Sequence, residues 1–177
     1  MRKHQFLAFT LLVASSIFVF SCQKQIGQEK EQQAEASFTV SNANAEAPPF
    51  NLEVILRGED KAFGLVKFRQ DPDPSKIIAL DTWVRDLQPN HSYLLQRAVD
   101  PINVVDGDCT STSWLTLGKG LTPQSITTDA NGDGRASLWR DVTAIPTGSK
   151  FDIHFRVVDA ANMAVVLTSS CYQYTVR

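Results

Sequence analysis

From residue 50 onward the chain alternates apolar and polar positions with a period of two in several separate stretches. Leu52, Val54 and Leu56 alternate with Glu53, Ile55 and Arg57, and Phe151, Ile153, Phe155 and Val157 alternate with Asp152, His154, Arg156 and Val158. Successive side chains of an extended chain point to opposite faces, so each set predicts a strand with one face on a core. In residues 77–85, Ile78, Leu80, Thr82 and Val84 alternate less cleanly with Ile77, Ala79, Asp81, Trp83 and Arg85. Further strand candidates lie at residues 64–68, 93–99, 136–139, 164–168 and 172–176. Turn-forming residues separate them: Gly58-Glu59-Asp60, Asp71-Pro72-Asp73-Pro74, Gln88-Pro89-Asn90, Asn131-Gly132-Asp133-Gly134 and Pro146-Thr147-Gly148. No stretch there carries a long helical period. Eight or so short strands with regular turns predict an all-β domain over residues 50–177, an antiparallel sandwich or barrel.

The first residues follow another pattern. Arg2 and Lys3 precede an apolar run over residues 6–20, broken only by Thr10, Ser15 and Ser16, and Ser21-Cys22 follows. A charged start, a run of about 15 apolar residues and a small residue before a cut describe an export signal, too short for the roughly 20 residues of a spanning helix. Val19-Phe20-Ser21-Cys22 resembles the lipobox of bacterial lipoproteins, with Phe20 bulkier than that pattern usually shows. The resemblance implies a signal peptide over residues 1–21 and lipid on Cys22, which would hold the protein on the membrane at the cell envelope, on the periplasmic face or the cell surface. The alternative is an ordinary secretory peptide that ends near a Cys. Residues 22–49 are rich in Gln, Glu, Ala, Ser and Asn and end on Pro48-Pro49. They hold few large apolar groups to offset ordering entropy, and predict a disordered tether reaching roughly 25–30 Å.

Loss of residues 1–21 moves the formal charge from −2 to −4. No basic stripe suits nucleic acid, and no block of like charge suits an anionic surface. With Cys22 lipidated, Cys109 and Cys171 remain as an even pair in an oxidising compartment, where a disulfide is expected. The alternative is two unrelated buried thiols.

Several segments together resemble the copper/zinc superoxide dismutases. They are residues 64–70 (Gly-Leu-Val-Lys-Phe-Arg-Gln), residues 84–93 (Val-Arg-Asp-Leu-Gln-Pro-Asn-His-Ser-Tyr) and Cys109-Thr110-Ser111. Residues 126–129 (Ile-Thr-Thr-Asp), Gly148 leading to His154, and Cys171 continue the order. The resemblance covers most of residues 52–176. It implies an antiparallel Greek-key β-sandwich or flattened barrel, and a Cys109–Cys171 disulfide tying a loop to it. The metal site does not follow. The places matching a His-x-His copper pair hold Leu94 and Gln96, and His91 matches only a preceding non-ligand His. No His lies between Cys109 and Thr127, and only His154 matches a copper ligand. Thr168 stands where that family keeps an Arg that guides an anionic substrate. One imidazole does not make a copper or zinc site. His154 shares its strand face with Asp152 and Arg156, which predicts a solvated polar position, and His91 falls in a turn.

Asp129, Asn131 and Asp133, followed by Gly134, fit the start of a calcium loop, whose alternate oxygen ligands converge on one ion. The twelfth position, which should be a bidentate Glu, is Arg140, and a polar hairpin loop explains the same residues. Asp106-Gly107-Asp108 also suits a loop. No G-x-S-x-G, H-E-x-x-H, C-x-x-C or phosphate-cradling Gly loop is present. These features favour a lipid-tethered, non-catalytic binding or structural module that needs no cofactor. A divergent dismutase-like metalloprotein using His154 and an envelope hydrolase with a loop-built site are the rivals.

Overall fold

The structure is a computed structural model, and it describes residues 50–177. The expected signal segment, Cys22 and the tether lie outside the described residues.

The described chain is all β. Three long strands, β1 (Phe50–Arg57), β2 (Phe63–Gln70) and β3 (Ile77–Arg85), form an antiparallel meander. The chain then crosses to the other side of the core as β4 (Ser92–Val99), which pairs with β10 (Lys150–Asp159) rather than with β3. Between them lie four short strands, β5 (Leu115–Thr116), β6 (Gly118–Lys119), β7 (Thr122–Pro123) and β8 (Ser125–Thr127), and the long β9 (Gly134–Asp141), which pairs with β3. Strands β11 (Val165–Ser169) and β12 (Tyr172–Thr175) both pair with β10, and β11 also joins β1. The long strands therefore run in the order β4-β10-β11-β1-β2-β3-β9, an antiparallel Greek-key flattened barrel.

The seam between β4 and β9 is closed by the short strands. β5 and β8 pair with β4, β6 runs parallel to β9 through Lys119 and Trp139, and Thr128 bridges Gly134. Residues 115–127 thus partly cover the two open edges that a seven-stranded sheet would otherwise expose, leaving the barrel nearly closed.

The alternation at residues 52–57 and 77–85 sends its even-numbered side chains inward, where Val54, Leu56, Leu80 and Val84 are buried. Aromatic rings fill the middle: Tyr174 meets Phe50, Phe68 and Phe151 edge-on at centroid distances of 5.1, 4.8 and 5.1 Å. One polar group is built into this core. The fully buried Gln70 accepts hydrogen bonds from Tyr174 Oη (2.6 Å) and the Arg177 backbone N–H (2.8 Å), locking the C-terminus onto β2.

Candidate functional site

Strand register places two arginines inside the barrel. On β4, Arg97 lies opposite Phe155 of β10, on the face of Tyr93 and Leu95, which are core residues. On β9, Arg140 lies opposite Ile78 of β3, on the face of Leu138, also core. β4 and β9 are the seam strands, so both side chains enter the barrel from the two lips of one gap, and Leu117 of the closing segment lies between β5 and β6. Together they line a cavity of about 200 Å³ whose other walls include Phe68, Leu80, Phe155 and Tyr174. Ile102, 50% exposed, carries the lining to the surface.

Arg97 and Arg140 are each half-buried, and neither is held in an ion pair. The ion pairs among the described residues are Arg69–Asp81, Arg85–Asp86 and His91–Asp159, and none involves Arg97 or Arg140. Arg140 Nη1 donates to Gly120 O at 3.1 Å. Asp100 is the one carboxylate in the lining, and it is committed elsewhere: it accepts from the Thr110 and Ser111 backbone N–H groups at 3.0 and 2.7 Å. Burial, and then the like charge of Arg140, lower the Arg97 guanidinium pKa.

The residues resembling copper ligands fall on the opposite, outward face of the same β4–β10 pair. Gln96 faces Arg156 and Ala98 faces His154 across the ladder. This face is only partly solvated, which narrows the expectation for His154. The β4–β5 connection folds over it, so Asp152 is 1% exposed and His154 and Arg156 are half-buried. Trp114 lies across both, its ring centroid 4.6 Å from that of His154 and 4.0 Å from the Arg156 guanidinium. His154 Nε2 is 3.0 Å from Ser111 O, the Asp152 carboxylate accepts from the Gly107 N–H at 2.8 Å, and Arg156 Nε donates to Gln96 Oε1 at 2.8 Å. Cys109 and Cys171 are joined as a disulfide, with Cα atoms 5.3 Å apart, and fasten this connection to the segment between β11 and β12. These residues do not fit copper or zinc. A guanidinium occupies the face, the amide is engaged, and the single imidazole lies against a carbonyl and an indole. Thr168 is exposed on β11, between Arg57 of β1 and Arg156 of β10 in the ladder.

His91 lies in the turn before β4, where its Nε2 is 2.7 Å from Asp159 Oδ2. Asp129 closes a loop, its carboxylate accepting from the N–H groups of Asn131 (2.8 Å) and Asp133 (3.0 Å). These bonds, that to Asp133 first, hold its pKa below the usual carboxylate value. The loop is not a simple hairpin. After the single Thr128–Gly134 bridge, β8 joins β4 and β9 joins β3, so the turn spans the seam. Among the described residues no three His, Cys, Asp or Glu side chains converge as a metal site.

A larger depression of about 630 Å³ lies on the outside of β2, β3 and β9. Asp129 and Asp133 balance Arg85 and Arg135 in its lining, and Arg57 and Arg85 already cap the Phe63 ring at 4.7 and 4.6 Å. The inner cavity, with two arginines to one carboxylate that is already hydrogen-bonded elsewhere, is the candidate site. The sequence pattern does not mark Arg97 as a site residue, and it brings in Arg140 only as the residue at the twelfth position of the calcium-like loop. The signal was there in part: Arg97 interrupts the apolar series Tyr93, Leu95, Val99. No protein-family model matches the chain, and no curated protein matches it.

Proposed function

We propose that the protein is a lipid-anchored component of the bacterial cell envelope whose barrel is a non-catalytic binding module for a small ligand. The observation that carries the binding role is the cavity under the seam, apolar in its walls and holding two unpaired inward arginines. Cys22 would supply the anchor, and the export pattern around it is the support for that location. The region resembling a dismutase copper site supports the non-catalytic half of the proposal, because Arg156, Gln96 and Trp114 engage one another where imidazoles would be needed.

Metal analysis tests this against the metalloprotein alternative. The purified protein is equilibrated with copper and zinc, dialysed against a chelator and assayed for metal content and superoxide decay. The expected result is no stoichiometric metal and no dismutation. Retention of about one copper per chain, lost in His154→Ala, would replace the binding module with a metalloprotein. The membrane location is checked by metabolic lipid labelling, which Cys22→Ala should abolish.

A further inference from the structure

We propose that the cavity binds a small amphiphilic anion, with a carboxylate or phosphate head between Arg97 and Arg140 and a short apolar tail among Phe68, Leu80, Leu117 and Phe155. The proposal rests on the barrel being a binding module and names the chemistry of its ligand.

The placement of the arginines comes first. Both are on inward register positions that a barrel ordinarily fills with aliphatic side chains, and they come from the two strands that meet at the seam. A charge partly withdrawn from water gains from a partner, and here two half-buried guanidinium groups share one largely apolar chamber with a single carboxylate. An anion between them would gain both attractions and relieve their mutual repulsion. Arg140 uses Nη1 on Gly120 O, and Asp100, bound to Thr110 and Ser111, leaves the position for an external anion. Guanidinium groups present planar forks that match carboxylate and phosphate oxygens, so the two head chemistries share one site.

The walls set the rest of the ligand. Beyond the arginines and Asp100 the lining is apolar, so a bare inorganic anion would leave most of the space dry and unfilled. At about 200 Å³ the chamber exceeds the roughly 150 Å³ that accommodates benzene in an engineered protein cavity. A single ring or a short acyl chain therefore fits better than a long lipid tail. A neutral guest of the same length would fill the space and leave the charges uncompensated, and a cation would add a third positive charge.

Calorimetric titration of the full chain with octanoate, octyl phosphate, octanol, octyltrimethylammonium and acetate distinguishes these cases. The expected result is one site for octanoate, octyl phosphate or both, at least about tenfold tighter than octanol, with no detectable binding of the cation or of acetate. Arg97→Gln and Arg140→Gln should each weaken the anion about ten- to a hundredfold, the value of one charge-assisted hydrogen bond, and leave octanol unchanged. Arg97→Lys should fall between. Octanol binding as tightly as the anions, or anion binding indifferent to both Gln variants, would overturn the proposed ligand class and leave a binding module with a different ligand. No binding of any probe at millimolar concentration would overturn both proposals and leave a structural role for the barrel. The wild-type probe series decides the matter even where a variant fails to fold.

Discussion

Removal of the disulfide is expected to destabilise the protein without releasing the segment it fastens. Cys109 and Cys171 are 62 residues apart, and closing a loop of that length removes unfolded-state entropy worth about 4 kcal/mol at room temperature. Domains of this size have margins of roughly 5–15 kcal/mol, so the loss would be a large share. Whether it appears as lower global stability or as local opening depends on what else holds the β4–β5 connection. Asp100 accepts two backbone N–H groups from Thr110 and Ser111, Asp152 accepts one from Gly107, His154 lies against Ser111 O, and Arg156 stacks on Trp114. Four anchors besides the sulfur bridge keep the connection native in the folded state, so the effect falls on the unfolded chain.

The assay is denaturant unfolding of Cys109→Ala/Cys171→Ala beside the wild type, with amide hydrogen exchange at Thr110 and Ser111 in the absence of denaturant. A fall of about 3–4 kcal/mol is expected, which corresponds to a melting temperature lower by roughly 10–20 °C, with both amides still protected. A fall under about 1 kcal/mol would refute the entropic estimate. Lost protection at Thr110 and Ser111 with global stability intact would show that sulfur, not hydrogen bonding, holds the connection in place.

Three further outcomes follow from single positions. Gly132 has φ +83° and a Cβ there would lie 2.2 Å from Leu87 O, so Gly132→Ala should cost about 2–3 kcal/mol by thermal unfolding, and a cost near zero would contradict the backbone placement. Arg97→Met should raise the stability of the ligand-free protein by up to about 1 kcal/mol, because it removes a half-buried, repelled charge with no carboxylate partner; a loss instead would show that Arg97 is paired in the free protein. The Asp129 carboxyl titrates below its unfolded value near 3.8, chiefly through the Asp133 N–H, so its stabilisation is complete above that value and is lost as pH falls through the lower folded one. Asp129→Asn should therefore narrow the difference in stability between pH 5 and pH 3, and an unchanged pH dependence would exclude Asp129 as a contributor.

The parts of the fold legible in the sequence are those in which one strand decides its own two faces. Residues 52–57 alternate cleanly because β1 has one face on the core and one on solvent. On β10 the apolar face was legible and the fate of the other was not. Asp152, His154 and Arg156 read locally as solvated, and only the fold brings Trp114 and the disulfide-fastened connection over them. The strands at residues 115–127 are two or three residues long, too short to show a period, although they close the barrel.

Arg97 and Arg140 mark a different limit. Each alone looks like an ordinary lapse in an apolar series, and such a lapse at a strand end usually reaches solvent. Their meaning comes from the seam, because closing β4 against β9 turns two separate lapses into one pair of facing charges. Valine or leucine at either position would satisfy the same register without withdrawing part of a charge from water. Local rules broken at two sequence-distant positions that the fold brings to one chamber are the kind of departure that stability alone does not explain. That is the physical reason for proposing the chamber, rather than the larger and charge-balanced depression outside, as the binding site.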